Sequence, residues 1–348
     1  MSPDPEPFMK VILTLNHTAK RWIALGVSLF MLFSLFLISF AVRPIDDQAA
    51  QATVYIPRGT SFLAIVNILD QAGMVKHRAL FILLARLKGA AGSIKPGEYE
   101  LATSMSPWEI TDKLTKGKIK IRRVIIPEDF TLKQIAGLLV AEELVSEESF
   151  LSVTTEPVFL TSLNIDADSA EGYLYPDTYH LYRGMTPQEI VRGMVSRFRD
   201  KVTPQMLERA KALGMTTTEF VTLASLIGKE TGYTEEKAKV SAVFHNRLKK
   251  GMRLQSDPTA VYSLTEYRHI VRRKHLDNDT PYNTYKIRGL PPGPIANPGI
   301  DSLQAALNPA HVNYLYFVSN NDGTHKFSSN LAEHTQAVLK YQNKRKKE

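Results

Sequence analysis

Hydrophobic residues in the second half of the chain recur with the spacing of one helical face. Positions i, i+3, i+4 and i+7 are apolar, which predicts an amphipathic helix. The face consists of Phe220, Leu223, Ala224 and Ile227. Glu230 lies three residues past Ile227 and continues the same face. Burial raises the pKa of a carboxyl group and keeps it protonated near neutral pH, as a general acid requires. The alternative interpretation is that Glu230 only ends the helix and turns into water.

An uninterrupted apolar run near the N-terminus predicts a membrane span. Residues Trp22 to Val42 contain no charged side chain, and their number, 42 − 22 + 1 = 21, matches the length of a membrane-crossing helix, about 20 residues. A cleavable secretory signal has a shorter apolar core of about 7–15 residues. Lys10, Lys20 and Arg21 precede the run, whereas Arg43 after it is offset by two aspartates. The positive-inside rule therefore predicts a cytoplasmic N-terminus, with the rest of the chain on the other side.

Two segments further along share a pattern of a short strand, a turn and a helix. Val54, Ile56 and Pro57 of the first segment recur as Val124, Ile126 and Pro127 of the second, at an offset of 124 − 54 = 70 residues. Hydroxyl residues that can cap a helix follow each strand, namely Thr60 and Ser61 in the first copy and Thr131 in the second. Two copies are too few for a solenoid, so the pattern favours a pair of small α+β units. The alternative is a chance similarity between two amphipathic strand–helix units.

The first copy resembles a LysM module, a small β-α-α-β unit that binds glycans. The similarity rests on the opening segment at residues 54–60 (VYIPRGT) and the closing segment at residues 94–99 (IKPGEY). In the second copy Asp129 stands where the first has the turn glycine Gly59, which argues against glycan binding by that copy.

Beyond residue 150 the pattern predicts helices joined by loops rich in proline, glycine and aromatic residues. The predicted helices span residues 187–200, 204–213, 217–231 and 235–250, and a strand spans residues 314–318. The loops cover residues 172–179, 256–259 and 281–299. Long ordered loops in a compact domain usually carry function, so we expect these loops to form a binding surface.

Composition limits the chemistry and the partners. The chain has no cysteine, which excludes disulfides, zinc–thiolate sites and cysteine nucleophiles. Its formal net charge of +8 is compatible with acidic lipid head groups, nucleic acid or acidic cell-wall glycans. The predicted membrane anchor, with most of the chain outside the cytoplasm, argues against nucleic acid as the binding partner.

The loops also offer groups suited to sugars. Flat aromatic faces stack on sugar rings, while amides and carboxylates hydrogen-bond their hydroxyls. The candidate substrate-binding residues are Tyr173, Tyr175, Asp177, Gln255, Asp257, Tyr282, Asn283 and Tyr285. The alternative for each tyrosine is a part-buried core ring whose hydroxyl is satisfied within the protein.

Several ordered motifs resemble the MltG (YceG-like) endolytic murein transglycosylases, over nearly all of the chain. They lie at residues 172–179 (GYLYPDTY), 223–231 (LASLIGKET), 243–248 (VFHNRL), 251–259 (GMRLQSDPT), 281–285 (PYNTY) and 289–293 (GLPPG). The resemblance implies that Glu230 is the catalytic glutamate. The family often carries a second glutamate two residues earlier, where this chain has Gly228.

The resemblance also implies the reaction. Glu230 would protonate the β-1,4 glycosidic oxygen between N-acetylmuramic acid and N-acetylglucosamine, then take a proton from the muramic 6-hydroxyl, which closes on the anomeric carbon. The product is a 1,6-anhydro end, formed without water by one residue that acts as acid and then as base. Cleavage of nascent strands in this way would end glycan elongation. No cofactor or metal ion is expected.

These observations together predict an α+β protein with a mainly helical, lytic-transglycosylase-like catalytic domain. The expected boundaries are a cytoplasmic tail at 1–21, a transmembrane helix at 22–42, a linker at 43–52, a LysM-like domain at 53–122 and a YceG-like catalytic domain at 123–348, with the second repeat unit near 123–155. The expected location is the inner (cytoplasmic) membrane, as a single-pass protein with a periplasmic catalytic domain. The expected partners are peptidoglycan strands and, by the resemblance, peptidoglycan synthases (penicillin-binding proteins).

Two other functions remain open at this stage. A non-catalytic scaffold would bind peptidoglycan through the LysM-like unit without turnover. A muramidase-type hydrolase would need a second carboxylate, about 5 Å or 6.5–9.5 Å from the first, for which Asp177, Glu236 and Asp257 are candidates. A pyridoxal-phosphate lyase is disfavoured, because the sequence has neither a glycine-rich phosphate cradle nor a suitable lysine context.

Overall fold

We describe a computed structural model of the chain over residues 17–46, 49–264 and 273–342. Within these residues the helices are α1 (His17–Val42), α2 (Phe62–Gln71), α3 (Arg78–Leu87), α4 (Pro107–Lys116), α5 (Leu132–Ala141), α6 (Glu147–Val153), α7 (Pro157–Ser162), α8 (Pro187–Lys201), α9 (Pro204–Ala212), α10 (Thr217–Glu230), α11 (Thr234–Lys249), α12 (Asp257–Val261), α13 (Arg273–Leu276), α14 (Ile300–Leu307) and α15 (Leu331–Gln342). The strands are β1 (Gln51–Ile56), β2 (Gly97–Ala102), β3 (Arg122–Ile125), β4 (Thr178–Leu181), β5 (Tyr316–Ser319) and β6 (His325–Ser328). The predicted mixed α+β class, with mostly helices, is confirmed.

The predicted apolar run lies inside α1. This helix has 26 residues and a mean hydropathy of 2.5 over its most apolar window, none of which is buried within the protein. It is the one described helix long and apolar enough to cross a membrane. Lys10 and most of the predicted cytoplasmic tail lie outside the described residues.

The described chain divides into two compact units. The first comprises the residues up to Ile121 together with Tyr182–Gly184, and the second comprises Arg122–Leu181 and the residues from Met185 onwards. In the first unit β1 and β2 pair antiparallel, with Gln51 opposite Ala102 and Ile56 opposite Gly97.

A strand, a turn and a helix are present in both copies of the repeat. Ser61 caps α2 by accepting a hydrogen bond from the Ala64 amide, and Thr131 forms a capping box with Gln134 at the start of α5. Thr60 does not cap the helix, because its hydroxyl donates instead to the Pro57 carbonyl, 2.8 Å away. The cap at Ser61 and the cap at Thr131 are therefore confirmed.

The second unit surrounds one buried helix. The predicted helices at 187–200, 204–213, 217–231 and 235–250 correspond to α8, α9, α10 and α11. Every residue of α10 from Phe220 to Gly228 is buried, so the helix is enclosed on all sides rather than along one face. Its buried hydroxyls are satisfied locally: Thr222 donates to the Thr218 carbonyl and Ser225 to the Thr222 carbonyl, both at 2.7 Å. The predicted apolar face is buried, and burial extends to the other faces of the helix because these small polar residues tolerate burial once their hydroxyls are bonded.

Two antiparallel strand pairs complete the second unit. Arg122 of β3 lies opposite Leu181 of β4, and Tyr316 of β5 lies opposite Ser328 of β6. The predicted strand at 314–318 overlaps β5.

Candidate active site

Glu230 is the last residue of α10, at the point where the buried helix meets a loop. Its side chain is partly buried, and the Ser256 hydroxyl donates a hydrogen bond to its Oε1. Burial raises the pKa of Glu230 to about 7. The hydrogen bond from Ser256 opposes that rise, the negative charge of Asp257 adds to it, and the positive charge of Arg247 opposes it. A carboxyl group in this environment holds a proton near neutral pH and can also lose it, as acid–base catalysis requires.

Arg247 of α11 fixes the loop that carries Ser256. The side chain is only 7% exposed. Its guanidinium donates to the Leu254 carbonyl and to the Leu315 carbonyl, both at 2.6 Å. Gln255, which lies between Leu254 and Ser256 in the loop, has φ +52°, a left-handed conformation that is strained for a residue other than glycine. Such strain persists only where the surroundings hold the backbone firmly, as Arg247 does here.

A chain of buried hydroxyls supports Ser256 from the other side. The Ser256 amide donates to Thr284 Oγ1 at 2.9 Å, and Thr284 Oγ1 lies 2.8 Å from Thr259 Oγ1. Thr259 in turn donates to the Ser256 carbonyl at 2.6 Å. All three residues are at most 1% exposed, so this network sets the position from which Ser256 reaches Glu230.

Three of the predicted substrate-binding residues lie around this site. Gln255 and Asp257 flank Ser256 and are exposed, and Tyr285 is partly exposed. The Tyr285 hydroxyl donates to Asp257 Oδ1 at 2.5 Å. Burial raises the pKa of the Tyr285 hydroxyl, which therefore stays protonated as a donor. The arrangement presents amide, carboxylate and phenol groups beside the carboxyl of Glu230.

Of the two candidates just before Tyr285 in sequence, Asn283 is buried and Tyr282 is partly exposed. Asn283 is fully buried, and its amide nitrogen donates to the carbonyls of Leu276 at 3.0 Å and Asn278 at 2.6 Å. Its Oδ1 accepts from the Tyr285 amide at 3.0 Å, so Asn283 holds the backbone of Tyr285 in place. The Tyr282 ring packs on Tyr262, with centroids 4.8 Å apart.

The remaining candidates come from the aromatic loop at 172–179 and bond residues other than Glu230. Tyr173 is 4% exposed, and its hydroxyl lies 3.0 Å from Thr218 Oγ1. The carbonyl of Tyr175 accepts a hydrogen bond from Tyr179 at 2.5 Å. Asp177 forms an ion pair with Arg197 at 2.6 Å, which lowers the pKa of the Asp177 carboxyl. No hydrogen bond or ion pair in the described part of the chain links these three candidates to Glu230.

The site differs from the sequence-based expectation in its supporting residues. Sequence reasoning did not single out Ser256, Arg247, Thr259 or Thr284, although all lie within the motifs at 243–248, 251–259 and 281–285. The signal that could have found Ser256 is the run Ser256-Asp257-Pro258, a small hydroxyl residue before proline at a helix start. Among the described residues, no cluster of three or more His, Cys, Asp or Glu side chains is arranged to hold a metal ion.

Glu236, the other carboxylate considered for a hydrolase, is engaged elsewhere. Its carboxylate accepts from the His325 amide at 3.0 Å and lies 2.8 Å from His325 Nδ1. Of the three candidates for a second carboxylate, Asp257 is the one whose charge acts on Glu230.

Comparison with known proteins finds one family repeatedly. The sequence model of the YceG-like family matches residues 54–340. An endolytic murein transglycosylase of Bacillus subtilis (strain 168) is 33% identical over 317 residues, covering 86% of this chain and 88% of that protein. An endolytic murein transglycosylase of Streptococcus pneumoniae serotype 2 is 31% identical over 336 residues, covering 87% of this chain and 61% of that longer protein. The crystal structure of a YceG-like protein from Listeria monocytogenes is similar with a TM-score of 0.58 at 33% identity, covering 83% of this chain and all of that one.

Proposed function

Because this chain belongs to the YceG-like family, we propose that it is an endolytic murein transglycosylase, a lyase that cleaves peptidoglycan strands. Its similarity to relatives named for this activity supports the assignment. The observation that carries it within the molecule is Glu230, a carboxyl group that ends a buried helix with a pKa of about 7 and a hydroxyl donor at its oxygen.

In the proposed mechanism Glu230 acts first as a general acid. It protonates the glycosidic oxygen between N-acetylmuramic acid and N-acetylglucosamine, and the bond from that oxygen to the muramic C1 breaks. Positive charge develops on the muramic ring, as in other glycosidic cleavages. The ionised Glu230 then removes the proton of the muramic 6-hydroxyl, whose oxygen closes on C1. The proton returns to Glu230, so the residue is ready for another turnover and no water is consumed.

The surroundings of Glu230 suit this alternation between two protonation states. Burial and the charge of Asp257 favour the protonated acid, whereas the Ser256 hydroxyl and Arg247 favour the ionised base. Opposing influences of this kind keep the pKa close to neutral pH, where both proton transfers proceed without a large energetic penalty.

We assign the sugar contacts first to the groups beside Glu230, namely Gln255, Asp257 and Tyr285. Gln255 and Asp257 are exposed, and the phenol of Tyr285 is directed by its bond to Asp257. The other candidates remain predictions of substrate binding: Tyr173, Tyr175, Asp177, Tyr282 and Asn283.

The finer features of the expected organisation belong to the same proposal. We propose a LysM-like unit at 53–122 that binds glycan and a lytic-transglycosylase-like domain at 123–348. We also propose that α1 anchors the protein in the inner membrane, with a cytoplasmic N-terminus and a periplasmic catalytic domain. The anchor would restrict cleavage to strands near the membrane, where synthases add new glycan and where cleavage would end elongation.

The decisive experiment compares wild type, Glu230→Gln and Glu235→Gln on purified nascent strands. Glu235 is an exposed glutamate near the start of α11, so its substitution is a chemically matched control. We expect wild type and Glu235→Gln to release 1,6-anhydro ends, detected by mass spectrometry, and Glu230→Gln to release none while keeping its melting temperature. Retained anhydro release by Glu230→Gln contradicts the proposal.

Digestion in ¹⁸O-labelled water separates the other functions. Hydrolysis, for which the position of Asp257 gives a specific candidate, places ¹⁸O at a new reducing end, whereas the proposed reaction incorporates none. Glycan binding by wild type without any new end would instead support a scaffold.

A further inference from the structure

The turn between β3 and α5 contains an aspartate in a conformation that favours glycine. Asp129 has φ +61°, and the equivalent turn of the first repeat has Gly59 at φ +78°. A residue with a side chain costs about 1 kcal/mol or more in this region of backbone space. The Asp129 amide donates to the Asn297 carbonyl at 2.9 Å, which fixes the turn. The position of the carboxyl group indicates what offsets this cost.

The carboxyl group of Asp129 packs directly against the last turn of α10. A β-carbon added at Gly228 would lie 1.9 Å from Asp129 Oδ1 and 2.6 Å from its Cγ, so the Asp129 carboxyl group would have to move to admit it. The glycine on the helix and the aspartate on the turn are therefore a matched pair. The Asp129 carboxyl occupies the space that any side chain at position 228 would need.

Asp129 also holds the lysine that precedes the catalytic glutamate. Lys229 Nζ donates to the backbone carbonyl of Asp129 at 3.3 Å, and its charge acts on the Asp129 carboxyl and on buried Glu171. The charge of Lys237, which pairs with Glu128 at 3.5 Å, also acts on the Asp129 carboxyl group. Burial raises the pKa of Asp129 to about 6, with the two lysines opposing the rise and Glu128 adding to it.

Lys229 and Glu230 thus have separate partners although they are adjacent in sequence. The charged and polar groups that act on the Glu230 carboxyl are Ser256, Asp257 and Arg247, and Tyr285 lies within electrostatic range. Successive residues of an α-helix point about 100° apart, so an unrestrained lysine side chain can swing toward its neighbour. An ammonium group within about 4–6 Å of a carboxyl group favours the ionised form.

We propose that Asp129 is a positioning residue, which holds the Lys229 ammonium at the β3–α5 turn and so keeps it from pairing with Glu230. This inference rests on the proposed role of Glu230 as the acid. Without the Asp129 carboxylate, Lys229 loses a negative charge that acts on it beside the turn, and its hydrogen bond to the backbone carbonyl at position 129 remains. Pairing of Lys229 with Glu230 would ionise the acid before it meets the substrate, and the enzyme would lose activity from the alkaline side first.

The test uses the full chain with Asp129→Asn, Asp129→Asn/Lys229→Met and Lys229→Met. Asparagine keeps the shape of the side chain and tolerates a positive φ, so it removes only the charge. We expect the alkaline limb of the kcat/KM profile of Asp129→Asn to move down by about one pH unit, consistent with the effect of one nearby ammonium. The double variant should return to the wild-type limb, because it has no lysine to pair. Lys229→Met alone should keep the wild-type limb.

A second variant and a second measurement separate an effect on the pKa of Glu230 from a disturbance of the fold by the substitution. Asp129→Gly removes the same carboxyl group but relieves the strained φ, so it should show the same shift with an unchanged or higher melting temperature. The pKa of Glu230 itself can be followed by NMR of glutamate labelled with ¹³C at the side-chain carboxyl, with Glu230→Gln to assign the signal. An unshifted limb in Asp129→Asn and Asp129→Gly, or a shift that persists in the double variant, overturns the inference. The NMR titration needs no turnover, so it tests the role of Asp129 even if the enzyme forms no anhydro product.

Discussion

The contact between Ser256 and Glu230 yields the sharpest prediction about the acid. Ser256→Ala removes one hydroxyl and leaves the backbone of a residue that is 1% exposed. The lost donor favours the ionised carboxylate, so the pKa of Glu230 should rise further in the variant. The rate of a reaction that begins with a protonated acid should then persist to higher pH.

The size of the effect follows from the energy of the hydrogen bond. A hydrogen bond to a charged group contributes about 1.5–3 kcal/mol, and the neutral acid retains part of that interaction. A remaining difference of about 1.4 kcal/mol corresponds to one pH unit. The alkaline midpoint of kcat/KM, expected near the pKa of about 7 in wild type, should therefore move to about pH 8 in Ser256→Ala. At pH 9 the fraction of protonated acid would rise from about 1% to about 10%.

The assay measures release of 1,6-anhydro ends from defined glycan strands between pH 5 and pH 10. Ser302→Ala is the matched control, because Ser302 is a buried serine of α14 whose hydroxyl has no hydrogen-bond partner among the described residues. It should keep the wild-type midpoint. If the midpoint of Ser256→Ala stays in place or moves down, either Ser256 does not favour the ionised state or Glu230 does not set the limb.

Three further substitutions test the supports of the site and the cost of its buried carboxyl groups. Arg247→Met should lower the stability of the second unit by about 2–4 kcal/mol and also lower kcat, because the carbonyls of Leu254 and Leu315 lose a charged donor; thermal melting and the turnover rate measure the two effects. Gln255→Gly should raise stability by about 1 kcal/mol, because it relieves φ +52°, while kcat/KM falls with the loss of the exposed amide. An unchanged melting temperature in Gln255→Gly would contradict the strain argument. Glu171 is buried and its pKa is raised to about 7, above the unfolded value of 4.5, so its stabilising contribution is complete below pH 4.5 and is lost as pH rises through 7. Melting curves across this range should show a fall of up to about 3 kcal/mol, which Glu171→Gln should reduce.

Periodicity located α10, the helix that carries Glu230, because the apolar residues of this helix are the ones that become buried. The helix begins at Thr217 and ends at Glu230, within one residue of the predicted bounds. Periodicity did not show that the helix is enclosed on all sides. Thr222 and Ser225 count as polar in the sequence pattern, but their hydroxyls bond backbone carbonyls of the same helix, so both residues can be buried. A pattern of residue types carries no information about which hydroxyls find partners.

The loops were harder to interpret for a related reason. Residue type alone made Tyr173 and Tyr285 equal candidates for sugar binding. The fold places Tyr173 in the core at 4% exposure and leaves Tyr285 partly exposed beside Asp257. The difference depends on contacts between segments that are distant along the chain, such as the bond between Tyr173 and Thr218. The motifs could be recognised from the sequence, but which of their side chains reach Glu230 could not.

Gln255 and Asp129 are alike in their strained backbone conformation and in their position near Glu230. Each is a non-glycine residue with positive φ, and each lies close to Glu230, the proposed acid. Gln255 precedes Ser256, which bonds Glu230, and the Asp129 carboxyl group packs against Gly228 in the helical turn that carries Glu230. Glycine at either position would relieve the strained φ but would remove a polar side chain from the surroundings of the site. Residues that raise the energy of the folded state persist where their side chains are used, so backbone strain identifies candidates for function that periodicity alone does not detect.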